Sequence, residues 1–221
     1  MDFKKNFYTY DENAIIQKQV AKELADFISN KIPEKKINNV IELGCGTGVF
    51  TKEILKKIEI KNIDLNDYYN TESYFIDIKH REFICKNMSE IKFKKYDLVV
   101  SSSSFQWISD LNGLIKNISK NTEKLAFSIY LEDNLKEIYN HFKVGLNYKN
   151  YKEVLEILKK YFNNIEYYTE IRSLEFSSSL EALRHLKKTG VSLGQGVKIS
   201  EIKSFKEKKL TYSIGYFISY N

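Results

Sequence analysis

Five residues constrain this chain more than any others. Gly44-Cys45-Gly46-Thr47-Gly48 stand between an apolar run at 40–43 and a stretch in which Phe50, Ile54, Leu55 and Ile58 fall at helical spacing. A strand that breaks into glycines and restarts as a helix leaves the backbone free to approach a ligand without Cβ interference, at the place where α/β folds bind nucleotides. The spacing lacks the Gly-x-Gly-x-x-Gly pattern of dinucleotide enzymes. No Gly-Lys-Ser/Thr follows, which excludes a Walker phosphate loop.

The rest of the chain alternates in the same manner. Ile16, Val20, Leu24, Phe27 and Ile28 predict an amphipathic helix over 11–31, with Asp11 as N-cap and Pro33 beyond its end. Strands are expected near 40–43, 60–65, 81–86, 96–100, 124–131, 165–176 and 210–220. Helices are expected around Leu111, Leu114, Ile115 and Ile118, and over 134–142, 151–162 and 180–188. This order predicts an α/β, Rossmann-like fold: a doubly wound, mostly parallel, seven-stranded sheet with helices on both faces, and a crevice at the carboxyl ends of the first and fourth strands. Residues 190–209 read as a loop or a partly helical insertion. With no repeat or linker, one domain over 1–221 is expected: a helical cap at 1–36, a cofactor-binding half at 37–142 and a substrate-side half at 143–221.

Composition narrows the class. At 43% hydrophobic residues a chain of 221 can bury a core without staples, and two cysteines, Cys45 and Cys85, supply no disulfide framework. No h-region opens the sequence and nowhere do about 18 apolar residues run together, so a soluble, cytoplasmic protein without a membrane contact is expected. His80, His141 and His185 show no ligand spacing, and no metal is expected. The net charge of +6 suits an acidic partner or nucleic acid, but only Arg81, Arg172 and Arg184 are arginines, so lysine enrichment by base composition contributes to it.

With Glu42 before the glycines, Ile-Glu-Leu-Gly-Cys-Gly-Thr-Gly resembles motif I of class I S-adenosylmethionine-dependent methyltransferases. In such a fold a carboxylate at the exit of the second strand accepts both ribose hydroxyls. Asp64 and Asp67 compete, 16 and 19 residues past Gly48, and Asp67 is favoured because it stands at the exit of a strand that runs through Leu65. Asn87-Met88 occupies the adenine position, where Asn87 replaces the usual carboxylate and can hydrogen-bond the adenine amino group or close an Asx turn.

The segment Asp97-Leu98-Val99-Val100-Ser101-Ser102-Ser103-Ser104-Phe105-Gln106-Trp107 resembles the malonyl-acyl carrier protein O-methyltransferases of biotin synthesis. Tyr10-Asp11 with Gln17 and Val20, Phe127-Ser128, the run 133–138, His185 to Val191, Leu210-Thr211-Tyr212 and Tyr216-Phe217 agree with that family in order; Ser102 stands where relatives often carry Asn. The resemblance implies methyl transfer from S-adenosyl-L-methionine to the free carboxylate of malonyl-acyl carrier protein. It implies a cofactor set of Glu42, Gly44, Gly46, Gly48, Asp64 or Asp67, Asn87, Met88 and Ser101, and a catalytic set of Tyr10, Gln106, Trp107 and Arg184. Phe105, Trp107 and Tyr10 are candidate walls of a dry aromatic site. Arg184 is the candidate clamp for the carboxylate, with Arg172 next in line. The alternatives are another small-molecule methyltransferase, a nucleic acid methyltransferase, which would usually carry a Pro-Pro-aromatic motif absent here, and a non-catalytic assembly protein.

Overall fold

In a computed structural model, residues 13–191, 193 and 197–221 are described. Tyr10 and the expected cap Asp11 lie outside them. The elements run α1 (Ile15–Lys31), β1 (Lys36–Leu43), α2 (Val49–Leu55), β2 (Glu59–Asp67), β3 (Glu82–Cys85), β4 (Tyr96–Ser102), α3 (Leu111–Ser119), β5 (Thr122–Tyr130), α4 (Lys136–Phe142), α5 (Tyr151–Leu158), β6 (Asn164–Glu175), α6 (Ser179–Lys188), α7 (Ile199–Ser204) and β7 (Lys209–Tyr220). Short 3-10 turns cover Glu72–Phe75, Met88–Glu90 and Phe105–Trp107. The expected alternation of strands and helices is present. α7 is the helical part of the segment that the sequence left open.

The seven strands form one sheet in the order β3-β2-β1-β4-β5-β7-β6. β7 runs antiparallel to β5 and β6, and the other neighbouring pairs are parallel. The order turns back between β1 and β4, which opens the crevice there. β1 begins four residues before the apolar run: of Lys36 to Asn39 Ile37 alone is buried, so no continuous hydrophobic signal marks this end in the sequence. Val40, Leu98 and Val100 face one core cluster with α1 and α2, and Ile41 and Val99 face the other with α3 and α5. Alternation along buried parallel strands thus fills both faces.

Candidate active site

The glycine turn is anchored before it bends. Gly44 and Cys45 both donate to the carbonyl of Asn66 on β2, at 2.8 and 2.9 Å, and Gly48 N–H closes the turn on Cys45 O at 2.9 Å. Gly44 and Gly46 hold positive φ, +73° and +54°. A Cβ on Gly44 would stand 2.2 Å from Ser104 Oγ, whereas one on Gly46 would meet nothing within 4 Å. The first glycine therefore lets β1 and β4 exit side by side, and the second keeps open space above the turn.

That space is a cavity of about 350 Å³ lined by Glu42, Gly44 to Thr47, Asp67 to Tyr69, Asn87, Met88, Ser102 to Ser104 and Trp107, among others. Asp67 sits at the end of β2, where its carboxylate accepts N–H bonds from Gly46 and Tyr69, each 2.9 Å. Burial holds its pKa above the ordinary value despite those bonds. Glu42 is 1% exposed, and accepts the Thr51 hydroxyl at 2.6 Å. Burial pushes its pKa up to about 8, with a smaller contribution from the neighbouring Asp67 charge, so it is mostly protonated at pH 7. Asn87 Oδ1 accepts Ser89 N–H at 3.0 Å and caps the turn Met88–Glu90, which leaves the amide NH2 for the cavity wall. The cap and the lining role coexist.

At the exit of β4 the chain turns through Ser103, a non-glycine residue at φ +53°. Its N–H is held by Ser128 O and Ser128 Oγ, each 3.1 Å away. Ser104 Oγ donates towards Gly44 O at 3.1 Å, so the two strand exits are stitched together. Trp107, 40% exposed, follows. A second cavity, of about 940 Å³, opens beside the first and shares Gln17, Ser103 and Trp107 with it. Gln106, Tyr130, Asn134, Tyr148 and Tyr212 are in its wall. The Tyr212 hydroxyl lies 3.3 Å from Nε2 of buried His185, whose pKa is lowered by burial and by Lys188, so the imidazole is neutral at pH 7.

The structure sets several of the expected residues away from the cavities. Asp64 is fully buried and lines neither cavity: Arg81 grips it from Nε (2.8 Å) and Nη2 (2.5 Å), and Tyr96 OH adds 2.7 Å. Burial would raise its pKa, but these donors outweigh it and the net shift is downward. Ser101 is likewise buried, and its hydroxyl donates to Leu43 O at 2.9 Å as a structural tie between β1 and β4. Phe105 is 1% exposed and packs on Phe127, ring centroids 4.9 Å apart, so it is core and not a cavity wall. Arg184 is exposed on α6 and lines neither cavity. Arg172 is also elsewhere, bound to Glu170 and to Gln19 of α1. Gln17 and Tyr212, which entered the sequence reading only as marks of resemblance, stand at the cavities instead; helical spacing and strand alternation give no sign of which side chain meets a ligand.

Comparison with known proteins agrees with this geometry. A family described as "Methyltransferase domain" matches residues 15–187. The malonyl-[acyl-carrier protein] O-methyltransferase of Calditerrivibrio nitroreducens is 34% identical over 97% of this chain and 94% of its own length. The protein of the same name from Haemophilus influenzae is 28% identical over 98% of this chain and 84% of its own. Among solved structures, the YcgJ protein from Bacillus subtilis shares the fold at a TM-score of 0.68 with 7% identity, covering 90% of this chain and 98% of its own. Magnesium protoporphyrin IX methyltransferase from Synechocystis, solved with bound S-adenosylmethionine, has a TM-score of 0.55 at 11% identity, over 93% of this chain and 79% of its own. The chain belongs to the class I S-adenosylmethionine-dependent methyltransferases, in the malonyl-[acyl-carrier protein] O-methyltransferase family.

Proposed function

We propose that the chain transfers a methyl group from S-adenosyl-L-methionine to the free carboxylate of a malonyl thioester carried on acyl carrier protein, giving the methyl ester that primes pimeloyl synthesis for biotin. The observation that carries this reading is the pair of cavities meeting at Gln17, Ser103 and Trp107. The smaller suits the methyl donor. Asp67 presents a carboxylate already oriented by two backbone N–H groups, which fits a ribose diol. Glu42 offers a buried carboxyl that a cationic amino acid moiety can ionise, and Asn87 and Met88 flank the place for the base. When bound, S-adenosyl-L-methionine supplies an electrophilic methyl group on a sulfonium centre.

The chain's own residues have little proton chemistry to perform. A carboxyl group with a pKa near about 4 is ionised at pH 7, so no general base is needed. Alignment and exclusion of water remain. Gln17, Ser103 and Trp107 line both cavities, and to the first two we assign the alignment of the acceptor carboxylate and to Trp107 the exclusion of water. Gln106 Nε2 donates to Ser103 O and so braces that turn, a positioning role. Tyr10 keeps its proposed place from sequence alone. Among the described residues lining the large cavity, Lys136 is the cation, and the neutral donors there orient a carboxylate without quenching its nucleophilicity.

Transfer of labelled methyl from S-adenosyl-L-methionine to malonyl-acyl carrier protein tests the reading, with free malonate, acetyl-carrier protein and RNA as controls. Label is expected in the malonyl thioester alone, in base-labile form. Label in RNA, or none in any acceptor, would overturn it.

A further inference from the structure

The positive charge of this protein is not spread over it. Residues 184–209 carry eight basic and two acidic side chains, a net of +6, which equals the net charge of all 221 residues. The rest of the chain is balanced. Lysine enrichment by base composition raises the count everywhere, but it does not decide where the excess over carboxylates gathers. All eight basic residues, from Arg184 to Lys209, are exposed. Elsewhere some surface lysines pair, among them Lys22 with Asp26, Lys36 with Glu59, Lys94 with Glu82 and Lys124 with Glu34. Lys203, Lys206, Lys208 and Lys209 have no carboxylate at ion-pair distance among the described residues.

This segment borders the large cavity from two directions. Thr189 and Val191, at the end of α6, line it. α7 is held on α4, whose Lys136 and Tyr139 line it, by a 2.9 Å bond between His141 Nε2 and Glu201 O and by the Phe142 and Phe205 rings, 5.3 Å apart. Ile199, 73% exposed on α7, adds an apolar contact point within the basic stretch. Glu132 and Asp133 also line the cavity and would repel an acidic partner from their own side.

We propose that α6, α7 and the approach to β7 form the docking surface for the acidic carrier protein, seated so that its prosthetic arm enters the large cavity past Thr189 and Val191. The proposal rests on the methyl-transfer reading above. A concentrated field beside the entrance raises the rate of encounter and orients the partner, while the reacting group is handled separately inside.

The test compares two substrates and two variants of equal charge. Lys203, Lys206 and Lys208 are changed together to Glu; Lys61, Lys92 and Lys95, exposed on the amino-terminal half, are changed together as the matched control. Each is assayed with malonyl-acyl carrier protein and with malonyl-pantetheine over a range of ionic strength. The first triple variant is expected to lose about 10-fold or more in kcat/KM for the carrier protein at low salt, and most of its salt dependence, with malonyl-pantetheine turnover unchanged. The control should stay within about twofold. Equal losses in both variants, or no loss in the first, overturn the docking surface while methylation of malonyl-pantetheine keeps the chemistry intact. RNA that displaces the carrier protein from the wild-type patch but not from the first variant would reassign it to nucleic acid. A wild-type chain that methylates neither thioester removes the functional reading and this proposal together.

Discussion

Asp64 and Asp67 stand three residues apart on β2, and the partners each one meets decide its role. Asp64 is enclosed by Arg81 and Tyr96. Asp67 reaches the cavity. Asp64→Ala should cost about 1–3 kcal/mol of stability, because it leaves the buried Tyr96 hydroxyl without its acceptor while the exposed Arg81 guanidinium returns to water, and ligand affinity should change less than about twofold. Asp67→Ala should weaken S-adenosyl-L-methionine binding by roughly 1.5–3 kcal/mol with little effect on unfolding. Titration calorimetry and denaturant melts on both variants decide the matter, and a larger binding loss at Asp64 would reverse the assignment. The lowered pKa of Asp64 also has a stability consequence: its contribution is present above the unfolded value of 3.8 and is lost as pH falls through the lower folded value.

Glu42 has the opposite sign. Its folded pKa of about 8 exceeds the ordinary 4.5, so the folded state holds the proton more tightly and stability declines as pH rises from about 4.5 through about 8. Calorimetric melting of Glu42→Gln should show a flatter loss over that window than the wild type. A cationic ligand favours the carboxylate, so binding of S-adenosyl-L-methionine at pH 7 should release a proton. Calorimetry in buffers of different ionisation enthalpy reads that release directly, and it should vanish in Glu42→Gln.

At the scale of elements, the turn after β1 separates two uses of glycine. Gly46→Ala places a methyl in open space at the cavity wall with φ at +54°, so stability should fall by only about 1 kcal/mol while cofactor affinity falls about 10-fold or more. Gly44→Ala drives its Cβ into Ser104 Oγ and breaks the stitch between the exits of β1 and β4, so it should destabilise the fold more than Gly46→Ala. Paired thermal melts and binding isotherms check both; equal stability losses would show that the stitch contributes nothing. Phe105 illustrates how an element overrides a residue's type. In sequence it is one aromatic beside another, but the 3-10 turn Phe105–Trp107 sends Phe105 inward onto Phe127 and leaves Trp107 at the cavities.

For the molecule as a whole, ligand binding and folding are linked, because only the folded sheet brings β1, β2 and β4 exits into one crevice. S-adenosylhomocysteine at 100 times its dissociation constant should add about 2.7 kcal/mol of stability and raise Tm by about 5–10 °C. Free malonate should produce no comparable shift. Scanning calorimetry with each ligand measures this, and an unshifted Tm under saturating S-adenosylhomocysteine would mean that the crevice does not hold it. The described residues contain no helix long and apolar enough to cross a membrane, and no cluster of three or more His, Cys, Asp and Glu side chains able to hold a metal.

The sheet, its switch point and the glycine turn were legible in the sequence because they follow from local patterns: apolar runs, helical spacing and glycines where a strand ends. Asp67 was chosen for its place at a strand's exit, and Glu42, Asn87 and Met88 for their resemblance to class I methyltransferases; the structure sets all four in the wall of one cavity, because the topology brings the carboxyl ends of the strands together. The tertiary structure alone decided the rest. Arg184 looked informative because arginine is scarce, but on an amphipathic helix the rotation of one residue, about 100°, separates the buried face from solvent, and α6 buries Ala182, His185 and Leu186 instead. Asp64 is drawn away from the cavity by Arg81, 17 residues from it, and by Tyr96, 32 residues away. Gln17 and Trp107 line the same cavities although 90 residues separate them. Contacts of that range depend on how the helices settle against the sheet, which is a property of packing that no local pattern encodes.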